Sequence, residues 1–142
     1  MSEQSRGGRH REASAKLTLL IVDDEPIITK MLERLFRREF EVITAFNGQD
    51  ALDIFLERRP QMVLTDHRMP GMTGIEMVKR AKKEAPETVF IVLSGFSDMD
   101  AMVEAINHHL LYRYISKPWD QDELISILRA GREHYMQAIA SG

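Results

Sequence analysis

Strict alternation of short apolar runs with segments of helical periodicity predicts an α/β fold: a five-stranded parallel sheet, doubly wound by helices on both faces. Three observations carry this prediction. The apolar runs are of strand length and continuous, as suits strands buried on both faces. Each is followed by apolar residues at helical spacing. Five strand–helix units are too few for an eight-fold barrel, and right-handed crossovers leave few other arrangements.

The first strand is Leu17 to Val22, closed by Asp23, Asp24 and Glu25. Pro26 suits the first turn of a helix, and Ile28, Met31, Leu32, Leu35 and Phe36 follow at helical spacing. Glu41 to Phe46 reads as the second strand, and Asn47-Gly48 as the turn into a helix bearing Ala51, Leu52, Phe55 and Leu56, stopped by Pro60. Met62 to Thr65 is the third strand, ending at Asp66. After the loop His67 to Gly74, Thr73 and Glu76 form a capping-box signature for a helix through about Glu84. Val89 to Leu93 is the fourth strand, ending at Ser94-Gly95. The helix from Met99 to His109 has Ser97 or Asp98 as its expected cap. Leu111 to Ile115 is the fifth strand, ending at Ser116, Lys117 and Pro118. Asp120 and Glu123 then open a last helix bearing Leu124, Ile127 and Leu128.

Composition narrows the function classes. The 142 residues suit one domain with a real core, and a net charge of -3 argues against direct nucleic-acid binding by bulk charge. No apolar run approaches the length of a membrane span, and residues 1–16 lack the apolar stretch expected of a signal peptide, which fits the expectation of a cytoplasmic protein. The absence of cysteine removes disulfides, thiolate metal sites and thiol nucleophiles. Residues 1–16 are polar and basic, with Gly7-Gly8, and read as a disordered leader.

In doubly wound sheets, ligands bind beyond the carboxyl ends of the strands. The residues delivered there are Asp23, Asp24 and Glu25 from strand one, Asp66 from strand three, Ser94 from strand four and Lys117 from strand five. Converging carboxylates repel unless a cation joins them, and an all-oxygen donor set suits Mg²⁺ or Mn²⁺ over zinc or copper. A lysine and a hydroxyl across the site complete a phosphoryl cradle, and one carboxylate can serve as nucleophile. Any one of these acids alone would pass for a helix cap, but together the set points to phosphoryl transfer onto an aspartate.

These residues closely resemble the receiver domain of two-component response regulators. The resemblance runs from about Leu17 to Arg132, through VDDEP at Val22 to Pro26, TDHRMPGMTG at Thr65 to Gly74, VLSG at Val92 to Gly95 and YISKPW at Tyr114 to Trp119. It implies a flavodoxin-like sheet of strand order 2-1-3-4-5. It further implies that Asp66 is the phospho-acceptor, receiving its group from a histidine kinase or phosphotransfer protein. Asp23 and Asp24 would be the acidic pair, Asp24 in direct contact with the metal and Asp23 largely through water. With Asp66, the backbone carbonyl of Arg68 would be a further ligand. Ser94 and Lys117 would hold the phosphoryl group, Pro118 would fix the following turn, often through a cis peptide, and Tyr114 would be the switch aromatic. The protein would then be a signalling receiver, not an enzyme beyond its own phosphotransfer and dephosphorylation, acting on an output domain or downstream protein.

Thr73 stands where the family often has Asp, and His108-His109-Leu110-Leu111-Tyr112 replaces its small Gly-Ala stretch. The two histidines do not face one point, and read as solvated side chains at a helix end. Arg68 and Phe96 each lie two residues beyond a site residue, and are expected to screen attacking water. A haloacid-dehalogenase-like hydrolase uses similar residues but wants a second Asp where Arg68 stands; a flavin or nucleotide binder would need glycines or hydroxyls where the acids are. Residues 133–142 extend the last helix or begin a linker. Leu124, Leu128, Gly131, Tyr135 and Ala138 or Ile139 follow 4-3-4 spacing, suggestive of a homodimer seam.

Overall fold

The structure, a computed structural model, describes residues 16–141; the expected leader falls, but for Lys16, outside the described residues. Five parallel strands, β1 (Thr18–Val22), β2 (Glu41–Ala45), β3 (Met62–Asp66), β4 (Val89–Ser94) and β5 (Arg113–Ser116), lie in the order β2-β1-β3-β4-β5. Helices α1 (Pro26–Phe36), α2 (Gly48–Arg58), α3 (Gly74–Glu84), α4 (Met99–Asn107) and α5 (Gln121–Ser141) follow the strands one by one. The doubly wound, flavodoxin-like sheet expected from the sequence is what forms.

Side chains alternate across a strand, so each central strand feeds two cores. Leu20, Val22, Val63, Phe90 and Val92 pack on one face with Ala51 and Phe55 of α2, Met77 and Val78 of α3, and Met102 of α4. Leu19, Ile21, Leu64, Ile91 and Leu93 pack on the other with Leu32 and Phe36 of α1 and Leu124 and Leu128 of α5. Phe55 and Phe90 are fully buried, each stabilising by about 1.5–3 kcal/mol over an exposed position.

The helix starts are mostly those the sequence marks. Asn47 accepts from the Asp50 amide at 2.8 Å, Thr73 and Glu76 close a full capping box, and Asp120 accepts from the Glu123 amide at 2.9 Å. Two local expectations are corrected. Neither Ser97 nor Asp98 caps α4 through its side chain; a 3₁₀ turn (Phe96–Asp98) leads into it. The fifth strand begins at Arg113 and not at Leu111, because the turn out of α4 continues through His109 (φ 60) and the Leu110 amide still reaches back to the Ala105 carbonyl at 2.9 Å. Of the spaced residues in α5, Leu124, Leu128 and Gly131 are buried against the chain's own sheet, while Tyr135 is half-buried and Ala138 and Ile139 are exposed.

Candidate functional site

Parallel strands end side by side, so the polar residue after each apolar run arrives at one edge of the sheet. Asp66 is the last residue of β3 and is 4% exposed. Asp23 follows β1, its amide bonded to the Ala45 carbonyl at 3.2 Å, and is likewise buried. The acidic turn after it is held by local bonds. Asp23 Oδ1 accepts from the Glu25 amide at 2.9 Å, and the buried Thr29 hydroxyl reaches the carbonyls of Asp23 and Glu25 at 3.1 and 3.2 Å. Asp24 and Glu25 are exposed, yet a carboxylate oxygen of each lies within 4.8 Å of the others and of Asp23.

Lys117 comes to the same place from beyond β5, its amide bonded to the Ser94 carbonyl at 2.9 Å. Its ammonium lies 2.5 Å from Asp66 Oδ1, an ion pair outside hydrogen-bonding geometry, so that this buried oxygen has no hydrogen-bond partner. The Ser94 hydroxyl, 1% exposed, is also without a partner. Buried polar groups left in that condition are uncommon and mark a place prepared for another group. The peptide between Lys117 and Pro118 is cis. An open cleft of about 560 Å³ adjoins the site, lined by Asp23, Glu25, Lys117 and Trp119 among others.

Electrostatics support the same inference. Burial pushes the Asp23 carboxyl up to about 6, with the charges of Asp66 and Asp24 adding to the effect and the Glu25 amide and Lys117 opposing it. Three carboxylates gathered at this point with one lysine suit a hard divalent cation, whose charge would remove that penalty.

Tyr114, on β5, lies opposite Val92, and Ser116 opposite Ser94. Residues paired across the register share a sheet face, so Tyr114 and Ser94 lie on the same side, where half-buried Tyr114 packs on the α2–α4 core. The Arg68 side chain does not join the site. Its guanidinium grips Asp98 with three contacts of 2.7 to 3.1 Å. Phe96 points outward, 86% exposed, and His108 and His109 are both exposed.

Three residues with a part in this geometry have no strong signal in the sequence. Asp98 looks like a helix cap, and its true partner is 30 residues away. Thr29 shares α1 with the polar residues Lys30, Glu33 and Arg34, and nothing local marks it as the buried one. Gly74 is tied to Asp66: a Cβ there would overlap the Asp66 carbonyl oxygen, so only glycine lets α3 start this close to β3.

The chain is similar to known proteins. The family described as response regulator receiver domain matches residues 19–129. The hydrogenase transcriptional regulatory protein HoxA of Cupriavidus necator is 38% identical over 116 residues, which are 82% of this chain and 24% of HoxA. The DNA-binding transcriptional regulator NtrC of Escherichia coli is 33% identical over 118 residues, 82% of this chain and 25% of NtrC. The chain thus spans about a quarter of the length of these curated relatives. A response regulator receiver domain protein from Clostridium thermocellum superposes with a TM-score of 0.79 at 28% identity, covering 89% of this chain and 99% of that one.

Proposed function

The chain belongs to the response regulator receiver family, and from that premise we propose that Asp66 is the phospho-acceptor of a two-component relay, charged by a histidine kinase or phosphotransfer protein. The observation that carries this reading is the meeting at the strand ends of buried Asp66, its Oδ1 ion-paired with Lys117, and the buried Ser94 hydroxyl, which has no hydrogen-bond partner. An Asp66 carboxylate oxygen attacks phosphorus; the new O–P bond forms as the P–N bond to the donor imidazole breaks, and the leaving nitrogen takes a proton from solvent. Lys117 neutralises the growing charge on the phosphoryl oxygens, and the Ser94 hydroxyl donates to one of them. Asp23, Asp24, Asp66 and the backbone carbonyl of Arg68 would hold Mg²⁺ (or Mn²⁺), which supplies positive charge to the phosphoryl oxygens. Pro118 keeps the Lys117 turn in place.

Phosphorylation adds roughly -1.5 to -2 charge and three acceptor oxygens. Ser94 is drawn toward them, Tyr114 follows inward on the same sheet face, and the α4–β5–α5 surface changes for its partner. That partner is an output domain or a downstream protein, or a second copy meeting the far end of α5. Residues 17–132 form the receiver, preceded by a leader at 1–16 and followed at 133–142 by an extension of the last helix or the start of a linker. The protein works in the cytoplasm, without direct contact with nucleic acid or membrane; among the described residues no helix is long and apolar enough to cross a membrane. It catalyses nothing beyond its own phosphotransfer and dephosphorylation.

Incubation with acetyl phosphate and Mg²⁺, read by intact mass, tests this. One phosphoryl group is expected on the wild type, none on Asp66→Asn and less on Lys117→Ala. Equal labelling of Asp66→Asn, or rapid turnover of many phosphoesters as a hydrolase would give, overturns it.

A further inference from the structure

The loop that carries Ser94 out of β4 has one anchored side chain. Phe96 and Ser97 are exposed, and Asp98 alone among the residues of the 3₁₀ turn is buried, at 6% exposure. An Asp immediately before a helix ordinarily accepts from the amides of the first turn. Asp98 does not: its carboxylate makes no cap bond and is turned across to the β3–α3 loop. There Arg68 Nε reaches both carboxylate oxygens at 3.0 and 3.1 Å, and Arg68 Nη2 reaches Oδ1 at 2.7 Å. A fork of this kind fixes direction as well as distance, which a lysine in the same place would not do. It ties together two loops through Arg68, two residues after Asp66, and Asp98, four residues after Ser94.

We propose that Asp98 is a positioning residue for phosphoryl acceptance, acting through Arg68: the fork latches the Ser94 loop in its resting place, and its release is a step in the switch. This inference rests on the assignment of Asp66 as phospho-acceptor. A phosphoryl group there brings added negative charge within two residues of Arg68 and competes with Asp98 for the guanidinium. Once freed, the turn has no other buried side chain to hold it, and Ser94 moves at lower cost. The latch therefore sets how much of the resting population can already place Ser94 toward Asp66, and a population shift of this kind raises the apparent rate and extent of phosphorylation.

The test uses the full chain in two arms. The first measures hydrogen exchange of the Gly95–Met99 backbone with no phosphodonor present, comparing wild type, Asp98→Asn and Arg68→Lys. Both variants are expected to exchange about three- to tenfold faster in this segment alone. The second follows labelling by acetyl phosphate, where Asp98→Asn is expected to be labelled severalfold faster, with unchanged chemistry at Asp66. Unchanged loop exchange in both variants overturns the latch, as does faster exchange with slower labelling. Should Asp98→Asn fail to fold, Arg68→Lys keeps the charge, loses the fork and decides the first arm. If the wild type takes no phosphoryl group at all, the phospho-acceptor reading fails, while the exchange arm still shows whether Arg68 and Asp98 hold the loop.

Discussion

Gly74 and Asp66 approach so closely that a Cβ on Gly74 would overlap the Asp66 carbonyl oxygen, while the Gly74 amide donates to the neighbouring His67 carbonyl at 2.9 Å. The start of α3 is thereby set directly against the end of β3. Because the obstacle is backbone, it has little room to yield. Gly74→Ala is expected to cost about 1–3 kcal/mol in urea denaturation, and to slow phosphorylation by displacing Asp66. Gly95→Ala is the control: a Cβ there meets nothing within 4 Å, so stability should change by less than about 0.5 kcal/mol. Equal costs would show that the contact yields easily.

His67 is buried beside the site, its Nδ1 accepting from the Ile75 amide at 3.4 Å, an arrangement that requires neutral imidazole. Burial holds its pKa below the ordinary 6.5, against opposing charges on Asp98 and Asp66. The unfolded chain thus takes up a proton near 6.5 that the folded chain refuses, so this group removes stability as pH falls through that value. His67→Gln should flatten the stability-against-pH curve between about pH 7 and 5.5. A histidine NMR titration should place the His67 midpoint below the ordinary 6.5.

Asp23 acts in the opposite sense. With its carboxyl pushed up to about 6 from an ordinary 3.8, the folded chain binds a proton more readily than the unfolded one. Without a divalent cation, this group's contribution to stability falls as pH rises from about 4 to about 6 and stays low above that. Adding Mg²⁺ should therefore raise the melting temperature more at pH 7.5 than at pH 5. Asp23→Asn should be more stable than wild type in EDTA and should lose most of the Mg²⁺ response. An equal Mg²⁺ shift at both pH values would count against a site built on Asp23.

Glu39, just before β2, pairs with two arginines of α5, Arg129 at 2.7 Å and Arg132 at 3.2 Å. Hydrogen bonding from Arg129 holds its carboxyl below the usual range, so the pairing is lost as pH falls through the carboxylate region. The group is part-exposed, and screening limits its worth. Glu39→Gln should cost no more than about 1 kcal/mol at low salt, and less at high salt, in denaturation measurements.

The course of the strands and the identity of the residues at their ends were legible because both follow from local pattern. Apolar runs mark parallel strands, and what comes after each run must lie at the carboxyl edge of the sheet, as Asp23, Asp66, Ser94 and Lys117 do. The capping box at Thr73 and the side-chain cap at Asp120 were legible for the same reason: their partners lie three residues away. The Arg68–Asp98 fork was not, since its partners are 30 residues apart and Asp98 has the local appearance of a cap. The start of β5 was misplaced because Leu111 is apolar whether it pairs in a strand or closes a turn.

Sequence alone thus determined the architecture and the chemical character of the site, because periodicity and strand ends are local properties of the chain. Only the tertiary structure decided which groups are left unsatisfied and which are already engaged. Ser94 Oγ and Asp66 Oδ1 are buried without hydrogen bonds, Asp23 is pressed toward its neutral form, and Arg68 is turned away to Asp98. Burial and partner choice depend on what the rest of the chain places nearby, and no local spacing encodes that.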